Sequence, residues 1–149
     1  MTEPQFTLQA VHALPGQSLQ LSFADGYAAR VQLADIIARH PSLVDLGEPE
    51  IFAQAALGEW GECVRWGGRD DLELAADNLR ARAVEQAGQA SHETIINWMA
   101  RYSLTLDQAA QALGLSRRMV AYYRSGQKPV PRTVALAIKG WEVESGAVV

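Results

Sequence analysis

Cysteine is almost missing from this chain of 149 residues: Cys63 stands alone, which excludes an internal disulfide and a cysteine-rich zinc site. A lone thiol of this kind is ordinarily inert packing rather than a nucleophile. Histidine is hardly commoner. His12, His40 and His92 are scattered, with no H-x-x-x-H or H-E-x-x-H pair to hold a metal. Long apolar runs are also lacking, and none approaches the roughly 18 residues that a membrane-spanning helix needs. The amino end has no basic start, apolar stretch and small-residue cleavage site, so the expected location is the cytoplasm. "WGGRDD" is too short for a phosphate-cradling loop and has no lysine. The run Asp70, Asp71, Glu73 and Asp77 imitates a divalent-metal cluster, although such a run is more often a solvated turn and helix start. Neither an enzyme nor a cofactor is expected.

What is present is an uneven distribution of charge. The formal net charge is −4. Residues 1–90 carry six Lys and Arg against thirteen Asp and Glu, a net of −7. Residues 91–149 carry seven against four, a net of +3. An acidic part joined to a basic part points to two modules with different partners.

The acidic part reads as antiparallel strands with short helices, an α+β domain over residues 1–88. "TLQAVHALPG" is an extended run stopped by Pro15-Gly16. "SLQLSF" alternates, placing Leu19, Leu21 and Phe23 on one face, the period of a half-buried strand. Asp25-Gly26 is a hairpin signal because both residues tolerate positive φ, and "YAARVQL" returns as the next strand. "ADIIARHPSLVDL" predicts a short helix interrupted near Pro41. Glu62 to Trp66 alternates as a strand. "DLELAADNLRARAVEQAG" is rich in helix formers and predicts a helix, and a boundary follows near Gly88.

From Ser91 the period becomes helical. Ser91 offers an N-cap, with a partial capping box because Thr94 stands where Glu or Gln completes one. Ile95, Trp98, Met99 and Tyr102 share a face. Thr105 caps "LDQAAQAL", Gly114 suits the left-handed residue that ends it, and Ser116 caps "RRMVAYYRSG", closed by Gly126. A last helix over "KPVPRTVALAIKGW" is expected to bury Val134, Leu136, Ala137 and Ile138. Tyr123, Trp98 and Trp141 read as core rather than as stacking platforms.

The offsets in "LTLDQAAQALGLSRRMVAYYRSGQKPVP" match a helix-turn-helix. Ala110 is small where two helices cross, Gly114 takes the turn, and Leu106, Ala109, Leu113, Leu115, Val120 and Tyr123 fill the shared core. The stretch resembles the lambda-repressor-like (Cro/cI, XRE) DNA-binding family over about residues 91–142. That resemblance implies an all-α domain over residues 91–149, cytoplasmic and bacterial, that regulates transcription by placing the helix after Ser116 in the major groove. Carried over position by position, Arg117, Arg118, Ala121 and Tyr122 fall where bases are read. Ser116, Arg124, Gln127 and Lys128 fall where phosphates are held. Arginine suits base reading because its planar fork matches the two acceptors of guanine. Outside such a motif an Arg-Arg pair is ordinarily a solvated helix start. Two positions depart from the family pattern. Leu106 replaces a frequent glutamine and loses a backbone contact, while Arg124 replaces a frequent glutamate and adds positive charge. The implied partner is double-stranded DNA, bound by a homodimer on a pseudo-palindrome.

The hairpin at Asp25-Gly26, Phe52, Trp66 and the D-L-x-x-x-x-D-x-L ending from Asp71 to Leu79 resemble a small bacterial α+β domain of unknown function. That domain is sometimes fused to a lambda-repressor-like domain and implies a protein or small-molecule partner but no catalytic residues. A rival reading follows from the same half: an antitoxin-like interaction module that binds a small basic partner, with DNA binding secondary. A sensor that responds to a small molecule is a third.

Overall fold

Leu19, Leu21 and Phe23 alternate along a strand, and that alternation organises the first sheet. In the computed structural model, which describes residues 3–146, β1 (Leu8–Leu14), β2 (Ser18–Phe23) and β3 (Ala28–Gln32) form an antiparallel sheet in the order β1-β2-β3. β2 lies in the middle, and its three alternating side chains are buried. Gly26 closes the second hairpin at φ +93, while Asp25 accepts the Tyr27 N–H at 3.1 Å, as the Asp-Gly pair predicts. The helix α1 (Ala34–Arg39) stops before Pro41, where His40 turns extended (φ −113, ψ 109), the conformation proline imposes on its predecessor. A 3-10 turn over Pro41–Gly47 and the short α2 (Pro49–Phe52) follow.

A second antiparallel sheet joins β4 (Ala55–Leu57), β5 (Cys63–Trp66) and β6 (Glu73–Ala75) in the order β4-β5-β6. The sequence places a helix over "DLELAADNL" from its start, but the structure delays α3 to Ala76–Gln86. Cys63, Val64 and Arg65 pair with Ala75, Leu74 and Glu73, and this ladder overrides the helix propensity of the three residues. Trp66 and Phe52 are buried against each other, and the Trp66 indole N–H donates to the Phe52 carbonyl at 3.1 Å. Arg80 on α3 ties the second hairpin down. Its guanidinium donates twice to Asp25, at 2.9 and 3.0 Å, and once to the Gln5 carbonyl, and it lies 4.1 Å from the Tyr27 ring centroid. The Gln86 side chain exchanges two hydrogen bonds of 2.8 Å with the backbone of Gln32 and so covers part of the β3 edge.

The chain divides after Gln86 into two units with separate cores. The second unit is helical: α4 (His92–Arg101), α5 (Leu106–Leu113), α6 (Arg117–Ser125) and α7 (Arg132–Glu144). The capping box at Ser91 is complete rather than partial. Ser91 Oγ accepts the Thr94 N–H, and Thr94 Oγ1 accepts the Ser91 N–H at 3.0 Å, so a threonine hydroxyl does what a Glu or Gln side chain usually does. Thr105 and Gln108 make a second box at the start of α5. Ile95, Trp98 and Met99 are buried with Ala109, Ala110, Val120, Tyr123, Val134 and Ile138. Trp141 meets Trp98 edge-to-face with centroids 5.4 Å apart. Leu136 is not in this core. It is 51% exposed, because Val134, Ile138 and Trp141 follow each other at helical spacing and Leu136 lies on the opposite side of α7. Ala137 is half-buried.

Two measurements test these contacts. Ser91→Ala should destabilise the helical unit by about 1 kcal/mol, seen as faster amide exchange in the first turn of α4 and a lower urea midpoint. Burial pushes the Asp25 carboxyl up, but hydrogen bonds from Arg80 and the Tyr27 N–H outweigh it and hold the group below its ordinary value of 3.8. A carboxylate lowered in this way stabilises the fold above its unfolded pKa, and the stabilisation is lost as pH falls through the folded value. Asp25→Asn should therefore flatten the acid side of the melting-temperature profile as pH falls through and below the ordinary carboxylate value.

Candidate functional site

One stretch of the helical unit gathers most of the singled-out residues. α5 ends at Gly114, whose backbone is left-handed (φ 68, ψ 31), and the Leu115 N–H returns to the Ala110 carbonyl at 3.0 Å. Ser116 then opens α6, its Oγ accepting the Met119 N–H at 3.1 Å. Val120 and Tyr123 are buried, and this sets the rotation of α6. Arg118, Ala121, Tyr122 and Ser125 consequently run along the outward face, with Arg117 and Arg124 on one flank. Gly126, also left-handed at φ 80, stops the helix. The Lys128 N–H bonds the Tyr122 carbonyl at 3.3 Å and brings the following loop back beside α6.

Ser116, Arg118, Met119, Tyr122, Gln127 and Lys128 line an open groove of ≈ 460 Å³. Five of these were singled out from the sequence. Met119 was not, although its spacing of three from Ser116 and Tyr122 places it between them on the helix. Tyr122 is the centre of the arrangement. Arg118 Nε donates to its hydroxyl at 2.6 Å, and the Lys128 ammonium lies 5.0 Å from its ring centroid. The ring thus steadies two cations while the terminal nitrogens of Arg118 point no hydrogen bond at Tyr122. Arg117 does not join this cluster. Its guanidinium meets Asp107 on α5 at 3.5 Å, and both side chains are largely exposed. Ala121 is half-buried and Arg124 exposed on α6.

Charge on α6 runs against the helix dipole. The first turns of α4 and α5 carry Glu93 and Asp107, whereas α6 has no acidic residue in its first turn and begins Arg117-Arg118. A cation at a helix amino end costs about 0.3–1 kcal/mol, and Asp107 offsets part of that cost for Arg117 alone. Arranged in this way, the face offers planar donors, a hydroxyl and an ammonium to an extended anion.

The acidic unit presents a different picture. Asp71 pairs with Arg69 at 2.7 Å, Arg69 also reaches Asp45, and Arg65 holds Glu73 at 3.0 Å and Asp70 at 3.8 Å. Three of the carboxylates that imitate a metal cluster in sequence, Asp70, Asp71 and Glu73, are thus counter-ions to arginines, and the fourth, Asp77, accepts the Asn78 N–H at 2.7 Å. No group of three or more His, Cys, Asp and Glu among the described residues is placed to hold a metal ion. Burial and the neighbouring Glu73 push the Cys63 thiol up, so it stays protonated. Among the described residues, no helix is long and apolar enough to cross a membrane.

Tyr122→Phe should release Arg118 without unfolding the helix. The expected change in stability is within about 0.5 kcal/mol, while the Arg118 Nε–H resonance moves and its exchange with water quickens.

A crystal structure of a protein from Nitrosomonas europaea named "Putative DNA Binding Protein" is similar to this chain. The TM-score is 0.82 and the identity 43%, covering 95% of this chain and 90% of the other. No protein-family model matches the chain, and no curated protein matches it.

Proposed function

The chain belongs to the same family as the Nitrosomonas europaea protein, and from that premise we propose that it binds double-stranded DNA as a sequence-specific transcriptional regulator. In this reading the second unit is a lambda-repressor-like helix-turn-helix, and α6 enters the major groove. The observation that carries it is the pair Arg117-Arg118 at the amino end of α6, whose first turn has no acidic residue of its own and where Asp107 of α5 meets Arg117 alone. Two cations there are unfavourable in the free protein and become favourable beside phosphates, which supply the missing negative charge.

The roles follow from position on the helix. Arg118 lies centrally on the outward face, and Tyr122 holds its Nε, which leaves the terminal nitrogens for the two acceptors of a guanine. Arg117 reads the neighbouring step from the flank, and Ala121 and Tyr122 face bases one turn on. Ser116, Arg124, Gln127 and Lys128 hold phosphates on either side. The proposal gives the chain no catalytic step and no cofactor. It includes a homodimer that spaces two copies of α6 about 34 Å apart on a pseudo-palindrome. The face of α7 that carries exposed Leu136 and Val143 supports that part, since Gly140 lies between them and a side chain there would meet nothing within 4 Å among the described residues.

Selection from a random-sequence duplex library at two salt concentrations tests the reading. The wild-type protein should enrich one short site, and Arg117→Ala with Arg118→Ala should lose it. Arg118→Ala alone should relax the preference for guanine at one position by about 1–3 kcal/mol. Lys128→Ala should weaken all sequences alike and reduce the salt slope by about 1. Binding without enrichment would remove the sequence-specific part of the proposal.

A further inference from the structure

The β4–β5 hairpin of the acidic unit carries an exposed tryptophan that the fold does not use. Trp60 is 79% exposed, and its backbone is left-handed (φ 59, ψ 12), a conformation that bulky side chains rarely adopt. Asparagine or glycine would meet the backbone requirement with less strain and without exposing an indole. The turn around it is nevertheless tightly held. A Cβ at Gly58 would lie 2.3 Å from Cys63 Sγ, and one at Gly61 would lie 2.2 Å from the Leu8 carbonyl oxygen. The Gly58 N–H donates to the Cys63 carbonyl at 2.8 Å, the Gly61 N–H to the Gly58 carbonyl at 3.2 Å, and the Ala76 N–H to the Glu62 carbonyl at 2.8 Å. The indole is therefore displayed from a rigid base. Preorganisation of this kind lowers the cost of binding.

The charge around it indicates what it meets. The segment Ala55–Glu62 contains Glu59 and Glu62 and no Lys or Arg, within a region of net charge −7. Among the described residues the cations seated over aromatic rings lie on Phe23, Tyr27 and Tyr122, so the Trp60 face takes none from this chain. An exposed indole next in sequence to Glu59 suits a guanidinium or ammonium group, and Leu57, three residues earlier, is exposed and offers apolar surface to the stem of such a side chain. Nucleic acid and anionic lipid are both repelled by this charge. We infer that Trp60 and Glu59 form a docking site for an arginine- or lysine-bearing segment of another protein. The site lies in the acidic unit and does not rest on the DNA-binding reading.

The test uses the full chain with a hexa-arginine peptide as probe and a hexaglutamate peptide as control, observed through the indole N–H resonances of the four tryptophans. Trp60→Asn keeps a residue that tolerates the left-handed backbone and identifies the Trp60 signal by its disappearance. Hexa-arginine should shift that signal saturably and hexaglutamate should not. Trp60→Asn and Glu59→Gln should each weaken hexa-arginine binding about three-fold by calorimetry, whereas Arg117→Ala with Arg118→Ala should leave it unchanged. A stationary Trp60 signal overturns the inference, as does equal affinity for the Trp60→Asn protein, which would show attraction to acidic surface alone. A signal that moves with protein concentration in the absence of peptide would assign the ring to a second copy instead. Protection of Trp60 from acrylamide quenching in the free chain would assign it to the chain's own surface.

Discussion

The helical unit depends on one left-handed residue. At Gly114 the backbone takes φ 68 and ψ 31, a region where a side chain brings strain and glycine does not. That single conformation ends α5, and with the return bond from Leu115 to Ala110 it directs the chain into Ser116, which opens α6 two residues later. Ala109 and Ala110 are small enough to let the two helices approach, and both are buried. Val120 and Tyr123 then fill the space against α4 and α5, so α6 has one rotation only. The outward display of Arg118 and Tyr122 is a consequence of what packs on the other side.

The acidic unit uses its cations differently. Arg65 and Arg69 sit among Asp45, Asp70, Asp71 and Glu73, and Arg80 is enclosed by Asp25, Phe23 and Tyr27. These arginines hold elements of one fold together: α3 to the second hairpin, and the loop before β6 to the 3-10 turn. On α6 and the loop after it, Arg118 and Lys128 gather around Tyr122 with no carboxylate paired to either among the described residues, while Arg117 meets Asp107. The same residue type therefore stabilises one unit and charges the surface of the other. Each unit keeps its own core, which is why a net charge of −4 for the whole chain describes neither.

Much of this was readable from local pattern. The alternation in "SLQLSF", the Asp-Gly turn, the break before Pro41 and the caps at Ser91, Thr105 and Ser116 each depend on a few adjacent residues, whose preferences are intrinsic. Where pattern misled, distant partners were responsible. Glu73, Leu74 and Ala75 are helical by propensity but extended by pairing with β5. Leu136 is apolar yet exposed, since the packing of α7 selects the face of Val134 and Ile138. Thr94 completed a capping box because its hydroxyl reaches the Ser91 N–H, a matter of rotamer rather than residue class. The short β4 carried no distinct signal, being three residues long.

The candidate site divides in the same way. Its membership was legible, because helical periodicity relates Arg118 to Tyr122 and the turn chemistry marks where α6 begins and ends. Its internal order was not. That Tyr122 engages both Arg118 and Lys128, that Arg117 turns instead to Asp107, and that Met119 completes the groove follow from side-chain directions around one helix and the loop after it. The sequence by itself determined the elements, their caps and the segregation of charge, since these arise from neighbours along the chain. Only the tertiary structure decided which cations meet carboxylates and which stay on the surface, because that depends on groups brought together by packing across tens of residues.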